Sequence, residues 1–296
     1  MYAREFALTQ FTQFTQFTHT MKRILTEHID CKRLKFLLDH ESELDRGGFI
    51  PAKFEFTKLQ LIRDNMDIDG NLVVEYTKED TRYKANVKGK HIGLTNLSRT
   101  FRGFLSDGSY YDVDMVGAQP TILNTLAPHS VLTEYLTNRD EFLEKLGIAK
   151  QPFLTVLFNH FEWVRYPLKP LQALSDFLRQ NVIPPLKTEF PELWEKVLKK
   201  RVKNKEGKFL AHVLQKIECS ILDECIEFSK ERVSVDVLIH DGFMLRASED
   251  LDLELFVTEL QAHIRQVEIH GRRFKDLSFS VKAHNDEIEV YFKNNS

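Results

Sequence analysis

The amino-acid sequence predicts an α+β fold in which a block of helices interrupts a small antiparallel sheet. Apolar and acidic residues alternate over 109–116, "SYYDVDMV", which is typical of a half-buried strand. Apolar residues recur at helical spacing over 210–228 and predict one long amphipathic helix. Two further apolar runs flank His240-Asp241-Gly242, and Asp-Gly favours a hairpin turn because both residues tolerate positive φ.

The other segments are assigned from the same periodicities. Residues 1–20 repeat Gln-Phe-Thr three times with no helical or strand period, so we expect them outside the core, with Met21 as an alternative start. The pattern predicts a helix over 22–44 and a strand over Leu72–Tyr76. It predicts helices from 138 to 200 with breaks at the prolines, including Pro184-Pro185. A helix near 250–267 and a last pair of strands near 277–292 follow.

Composition indicates a globular protein. Hydrophobic residues make up 42% of the 296 residues, and no apolar run approaches the roughly 20 residues of a membrane helix. The three cysteines form no CxxC pair, which argues against a zinc site and a disulfide framework. We therefore expect an intracellular protein with reduced thiols and no membrane partner.

The charges are segregated, although the net charge is only −3. Residues 81–106 contain six basic residues and no acidic one, and 196–208 contains seven basic residues beside Glu206 alone. Such runs are often only solvated faces. Two of them in one chain also fit a track that binds nucleic-acid phosphates, and both interpretations stay open.

Two aspartates fall at predicted strand ends. Asp114 lies near the end of the 109–116 strand and Asp241 at the hairpin tip, and neighbouring strands of one sheet would bring their carboxylates to one edge. Carboxylates that close repel each other unless a cation lies between them, and Mg²⁺ prefers oxygen ligands together with substrate phosphates. The pair is therefore a candidate centre for two-metal phosphoryl transfer, with Asp112 as a secondary ligand. The alternative is a hairpin turn with no catalytic role.

These segments resemble motifs of the family A DNA polymerases and their single-subunit RNA polymerase relatives. "YYDVDMVGAQPTIL" is similar to motif A and "VLIHDGFML" to motif C, whose strand ends in His-Asp. "AKQPFLTVLFN" resembles the fingers helix, with Lys150 eight residues before Phe158. "FLAHVLQKIECSIL" resembles the helix before motif C, and "GLTNLSRTFRGFL" the stretch upstream of motif A. The motifs follow the family's order across residues 88–245.

The resemblance implies a right-hand polymerase, closest to the compact polymerases of viruses and mobile elements. Its palm would comprise 96–130 and 209–296, and its fingers 131–208. Residues 21–95 would form a helical or mixed region that could serve as a reduced thumb. If the protein is viral, it would act in the cytoplasm or nucleus of the host cell.

The resemblance also implies site residues. Metal binding falls to Asp114, Asp241 and Met115, with two Mg²⁺ ions or Mn²⁺ in their place. Catalytic roles fall to Asp114, Asp241, His240 and Lys150. The incoming nucleoside triphosphate would contact Lys150, Gln119, Phe158 and Asn159. The DNA primer-template would contact Arg99, Arg102, Gln215, His212 and Lys90. A helicase or another replication protein is an expected partner.

Three positions depart from the family pattern. Leu146 replaces the fingers arginine, so triphosphate contact would fall to Lys150, with Lys145 as a second candidate. Gln119 replaces the motif A glutamate that helps to exclude the ribose 2′-hydroxyl, which leaves the choice between DNA and RNA nucleotides open. Phe158-Asn159 replaces Tyr-Gly.

Three alternatives remain at this point. A primase or RNA polymerase would use the same chemistry on ribonucleotides. A metal phosphohydrolase could use His240-Asp241, although such enzymes set that pair on a helix among further histidines. A nucleic-acid-binding protein could retain a decayed palm without catalysis.

His212 and Gln215 could equally be the polar face of an ordinary amphipathic helix.

Overall fold

The computed structural model describes residues 21–49, 54–79, 81–158, 168–283 and 286–295. The predicted low-complexity segment 1–20 lies outside the described residues. The strands are β1 Lys22–His28, β2 Asn71–Glu79, β3 Arg82–Asn86, β4 Tyr110–Met115, β5 Val235–Ile239, β6 Gly242–Arg246 and β7 Phe279–Lys282. The helices are α1 Cys31–Asp39, α2 Glu41–Arg46, α3 Phe54–Asn65, α4 Arg99–Ser106, α5 Ala118–Leu126, α6 Ser130–Thr137, α7 Arg139–Leu146, α8 Lys150–Phe158, α9 Lys169–Phe177, α10 Ile183–Glu189, α11 Pro191–Leu198, α12 Lys205–Ser229, α13 Leu253–Gln266 and α14 Glu287–Asn295.

Two small antiparallel sheets and a long helical insertion make up the α+β fold, as the sequence predicts. The N-terminal sheet has the order β1-β2-β3, and the second sheet has the order β5-β6-β4-β7. Helices α5 to α12 all lie between β4 and β5 in the chain. The strands that carry Asp114 and Asp241 are thus separated in sequence by the insertion but joined in one sheet.

Helix α12 is the central element of the core. It begins at an Asn204 cap whose side chain accepts a hydrogen bond from the Gly207 N–H, and an apolar stripe then runs along its length. Phe209, Val213 and Ile217 are fully buried. Burial of side chains of this size contributes roughly 1.5–3 kcal/mol each, so this stripe anchors the insertion to the sheet.

The N-terminal sheet is attached to α12 by charged side chains. Asp223 of α12 accepts hydrogen bonds from Arg23 at 3.1 Å and from the Tyr83 hydroxyl at 2.6 Å, and it pairs with Lys78 at 2.5 Å. Because three groups of the sheet converge on one carboxylate, the sheet has a fixed position relative to the helix.

Three predicted elements are wrong. Residues 22–28 form a strand rather than the start of a helix, because pairing with β2 satisfies their backbone and overrides the local helical pattern. The expected second strand of the 277–292 pair is the helix α14, which buries Ile288. Pro184-Pro185 do not break the chain into separate helices. A π-helical turn at Leu178–Val182 leads directly into α10, whose first turn accepts proline because its N–H groups need no intrahelical partner.

The pairing of β4 with β6 leaves no room for a side chain at residue 242. A Cβ atom on Gly242 would lie 2.4 Å from the Val113 carbonyl oxygen and 3.1 Å from the Asp114 Cα. Both atoms belong to the backbone and cannot move without shifting β4. Glycine at this position is therefore a condition for the close approach of the two strands.

We predict that Gly242→Ala destabilises the protein by about 1–3 kcal/mol, because the added methyl group must push the strands apart. Urea unfolding measures the loss. Ser280→Ala on β7, which pairs with Asp114 from the other side and gains no atom, is the control and should stay within about 0.5 kcal/mol of wild type. Equal stabilities for the two variants would show that the strand pair relaxes freely.

Candidate active site

The ends of β4 and of the β5–β6 hairpin bring Asp114 and Asp241 to one sheet edge. Asp114 pairs with Gly242 in the strand register, and the Met115 N–H donates to the Asp241 carbonyl oxygen at 2.9 Å. Asp114 is buried and Asp241 is half-buried. The hairpin is confirmed, but its two-residue turn is His240-Asp241 rather than Asp241-Gly242, since Ile239 pairs with Gly242 and Gly242 begins β6. Neither Asp241 nor Gly242 has a positive φ, so the predicted turn conformation is wrong.

The two carboxylates interact unfavourably at this edge. Burial, together with the negative charges of Asp241 and Asp112, raises the pKa of Asp114 to about 6. The ammonium of Lys282 opposes both effects, because its Nζ lies 2.6 Å from Asp114 Oδ2. The protein itself thus supplies a positive charge to the site, the Lys282 ammonium.

Two arginines and a histidine border the carboxylates. Burial lowers the pKa of Arg102, whereas the charges of Asp112, Asp241 and Asp114 raise it, so this guanidinium lies within electrostatic range of all three aspartates. His240 is exposed at the turn, yet partial burial of its ring lowers its pKa, and the charge of Arg82 lowers it further. The edge therefore combines acidic groups at its centre with cations around them.

A fourth carboxylate, that of Glu218, lies near this edge. Glu218 of α12 is almost fully buried and pairs with Arg82 of β3 at 2.8 Å. The pKa of Glu218 is raised to about 7, mainly by burial and further by the charge of Asp241. The Arg82 charge and a hydrogen bond from the Gln119 side chain oppose this rise. Glu218 therefore connects β3, α5 and α12 directly behind Asp241.

The donor set fits a divalent cation only in part. Asp114 at the end of β4 and Asp241 on the hairpin turn supply hard oxygen atoms, which suits Mg²⁺ when substrate phosphates complete its coordination. Among the residues that the structure describes, no group of three or more His, Cys, Asp or Glu is arranged to hold a metal. The Met115 side chain is buried in the core, so only its main-chain carbonyl oxygen is a possible ligand.

The predicted fingers residues lie on α8. Lys150 is the first residue of this helix and is exposed, whereas Phe158 is its last residue and is half-buried. The Phe158 carbonyl oxygen accepts a hydrogen bond from Asn204 at 3.3 Å, which joins α8 to the start of α12. Lys145 pairs with Glu134 at 2.6 Å. Asn159 lies outside the described residues.

The predicted nucleic-acid contacts occupy separate places. Arg99 and Lys90 are exposed, on α4 and on the turn after β3. Gln215 is half-buried on α12 and accepts from the Thr81 hydroxyl at 3.3 Å. The ring nitrogens of His212 are shielded from solvent. The structure therefore brings Arg102 to the aspartates and leaves Arg99 and Lys90 facing solvent.

The sequence analysis did not identify Glu218 or Lys282, and it counted Arg82 only among the six basic residues of 81–106. Glu218 lies in the apolar stripe of α12, four residues from both Leu214 and Leu222, and a charged residue in such a stripe is a usable signal. No comparable signal marks Lys282, because its partner Asp114 is distant in sequence.

A cavity of about 370 Å³ opens beyond the end of β4. Val116 and Gly117, which directly follow Met115, form one side of it, and Thr121 of α5 and Arg139 of α7 contribute to its wall. The cavity thus lies between the strand that ends at the aspartates and the first helices of the insertion.

Comparison with known proteins supports a polymerase-like fold. The structure of the POL domain of Pol1 from M. smegmatis, in complex with DNA primer-template and dNTP, superposes with a TM-score of 0.53 and 10% sequence identity. The similarity covers 87% of this chain and 56% of that chain. The fold is therefore similar to that of this polymerase domain.

A protein of Sputnik virophage, named "Putative helicase V13", is 25% identical over 252 residues. The match covers 75% of this chain and 32% of the virophage protein, so the chain spans about a third of that relative. No protein-family model matches the sequence. Among the described residues, no helix is long and apolar enough to cross a membrane.

The buried Glu218 predicts a pH dependence of stability. Its pKa in the folded protein, about 7, lies above its ordinary value of 4.5, so the folded chain retains a proton that the unfolded chain releases between these values. The free energy of unfolding should therefore fall as pH rises from about 4.5 to 7. Glu27, whose pKa burial also raises to about 7, contributes in the same direction.

Glu218→Gln should make this slope shallower by up to about 1.4 kcal/mol per pH unit. Urea unfolding at several pH values between 4.5 and 7.5 measures the slope. Glu227→Gln removes an exposed carboxylate from the same helix and serves as the control, with the wild-type slope expected. An unchanged slope in Glu218→Gln would mean that Glu218 stays ionised in the folded protein.

Proposed function

We propose that the protein is a template-directed nucleotidyltransferase, specifically a DNA polymerase related to family A, that joins deoxynucleotides from their triphosphates. The observation that carries this proposal is the meeting of Asp114 and Asp241 at one sheet edge within a polymerase-like fold. The motif order in the sequence supports the assignment of β4 to β7 and α12 to a palm, and of α6 to α11 to fingers.

Asp114 and Asp241 would hold Mg²⁺, or Mn²⁺ in its place, with the Met115 carbonyl oxygen as a further ligand. When bound, the metal would polarise the phosphoryl group and stabilise the charge that develops on the attacking and leaving oxygens. Arg102 faces the same carboxylates and would hold the nucleic-acid backbone beside them. His240 at the turn would contact the primer end.

The nucleotide would lie between this edge and the insertion. The cavity beyond β4 is open to the backbone of Val116 and Gly117, which suits the approach of a phosphate group. Gln119 would face the nucleotide from the first turn of α5, where Glu218 accepts its hydrogen bond. Lys150 would contribute a full charge at the N-terminus of α8, where free N–H groups also attract anions.

The alternatives differ in what supports them. A primase or RNA polymerase stays open because Gln119 replaces an acidic residue of the resembled family. A phosphohydrolase based on His240-Asp241 is disfavoured, because the pair lies on a hairpin turn rather than a helix. The name of the virophage relative supports a replication context, with a helicase as the expected partner.

The primer-template would be contacted by Arg99, Lys90, Gln215, His212 and the basic run 196–208.

Asp114→Asn and Asp241→Asn should each reduce nucleotide incorporation by at least about 10³-fold, because each removes a metal-ligand charge at the reacting centre. A primer-extension assay with each nucleotide class, with and without Mg²⁺, measures the loss. Asp250→Asn, at an exposed loop position, is the control. Extension by either site variant at a rate near wild type would disprove the metal assignment.

Lys150→Ala should raise the apparent KM for the nucleotide and lower kcat, with little change in primer-template affinity. The reason is the loss of one positive charge from a helix N-terminus that binds phosphate. Lys145→Ala is the matched control, because Lys145 is engaged by Glu134. Steady-state kinetics that show the larger effect in Lys145→Ala would move the triphosphate contact to that residue.

A further inference from the structure

Lys282 occupies a position that a metal ion would also use. Its Nζ lies 2.6 Å from Asp114 Oδ2, and its side chain extends from β7 while Asp114 extends from the adjacent strand β4. The Lys282 side chain is 36% exposed, whereas the Asp114 side chain is 12% exposed. The ammonium can therefore move into solvent, but the carboxylate has little freedom to turn away.

An ammonium on Asp114 opposes the binding of a divalent cation to the same carboxylate. It occupies one lone-pair direction of Oδ2, and its positive charge repels a divalent ion at short distance. A positive charge at this edge offsets the unfavourable effect of Asp241 on ionised Asp114. In the protein alone, Lys282 supplies that charge.

We propose that Lys282 is a built-in counter-ion of Asp114 that the catalytic divalent ion must displace. This inference rests on the proposed function, because it concerns metal binding at the same two aspartates. Without a nucleotide, Lys282 competes with the metal and keeps its affinity low. A nucleoside triphosphate supplies phosphate oxygens to the metal and an alternative anion for the released ammonium, so metal and nucleotide bind together.

The test measures Mn²⁺ binding to the full chain without nucleotide, by the electron paramagnetic resonance signal of free Mn²⁺. Lys282→Met should bind Mn²⁺ about five- to tenfold more tightly than wild type, since it removes a competing ion pair of about 1 kcal/mol or slightly more. Lys282→Arg, which keeps the positive charge, should bind as wild type does. Lys275→Met changes an exposed lysine in the preceding loop and should also bind as wild type does.

A non-hydrolysable deoxynucleoside triphosphate should reduce the difference between wild type and Lys282→Met, because it gives the wild-type ammonium another partner. Lys282→Gln retains a polar side chain and replaces Lys282→Met if that variant does not fold, as judged by its thermal transition. Mn²⁺ affinity equal to or below that of wild type in the folded variant would overturn the proposal.

The outcomes separate this inference from the proposed function. Tighter Mn²⁺ binding by Lys282→Met, together with no primer extension by the wild-type chain, would leave the counter-ion role intact and reject the polymerase. Primer extension that depends on Asp114 and Asp241, with unchanged Mn²⁺ binding in Lys282→Met, would reject the counter-ion role alone.

Discussion

The mutual repulsion of Asp114 and Asp241 is the constraint on which this site depends. Asp114 is buried and Asp241 half-buried at one sheet edge, and the burial of Asp114 makes their repulsion stronger than it would be in solvent. Positive side chains from two distant segments act against it, namely Lys282 of β7 and Arg102 of α4, while Arg82 of β3 lies near His240 and pairs with Glu218. The fold is therefore arranged around a charge balance, and a divalent ion would enter a site that is already neutralised in part.

The N-terminal sheet contributes a charged side chain, Arg82, near this edge. Arg82 reaches the site only because β3 packs against α12, where Glu218 holds its guanidinium and Asp223 fixes the neighbouring strands. One buried carboxylate thus links the N-terminal sheet, the helix that follows Asp114 and the helix that precedes the hairpin. Residues 21–95, expected to be a separate helical or mixed region, supply a charged side chain to the edge that carries His240 and Asp241.

Local patterns in the sequence were sufficient where one segment determines its own structure. The alternation over 109–116 predicts β4, and the two apolar runs around His240-Asp241 predict the hairpin, because strand faces are set by adjacent residues. The turn itself falls at His240-Asp241 rather than at the predicted Asp-Gly, since Gly242 already pairs with Ile239. The 22–28 strand and the Lys282 contact were not predictable in this way. Pairing between β1 and β2, and the ion pair with Asp114, join residues that are distant in sequence. Glu218 was predictable only in part. The sequence shows that it lies in an apolar stripe, but it does not show which residues Glu218 contacts.

The most direct test of the central claim is the position at which a bound metal cuts the chain. Fe²⁺ in place of Mg²⁺, with ascorbate and peroxide, generates hydroxyl radicals that cleave the backbone near the ion. If the aspartate edge holds the metal, cleavage should fall near 114–116 and 239–242, should increase with a triphosphate present, and should disappear in Asp114→Asn and Asp241→Asn. Cleavage at other segments, or cleavage that both substitutions leave unchanged, would contradict the assignment of this edge as the metal-dependent centre.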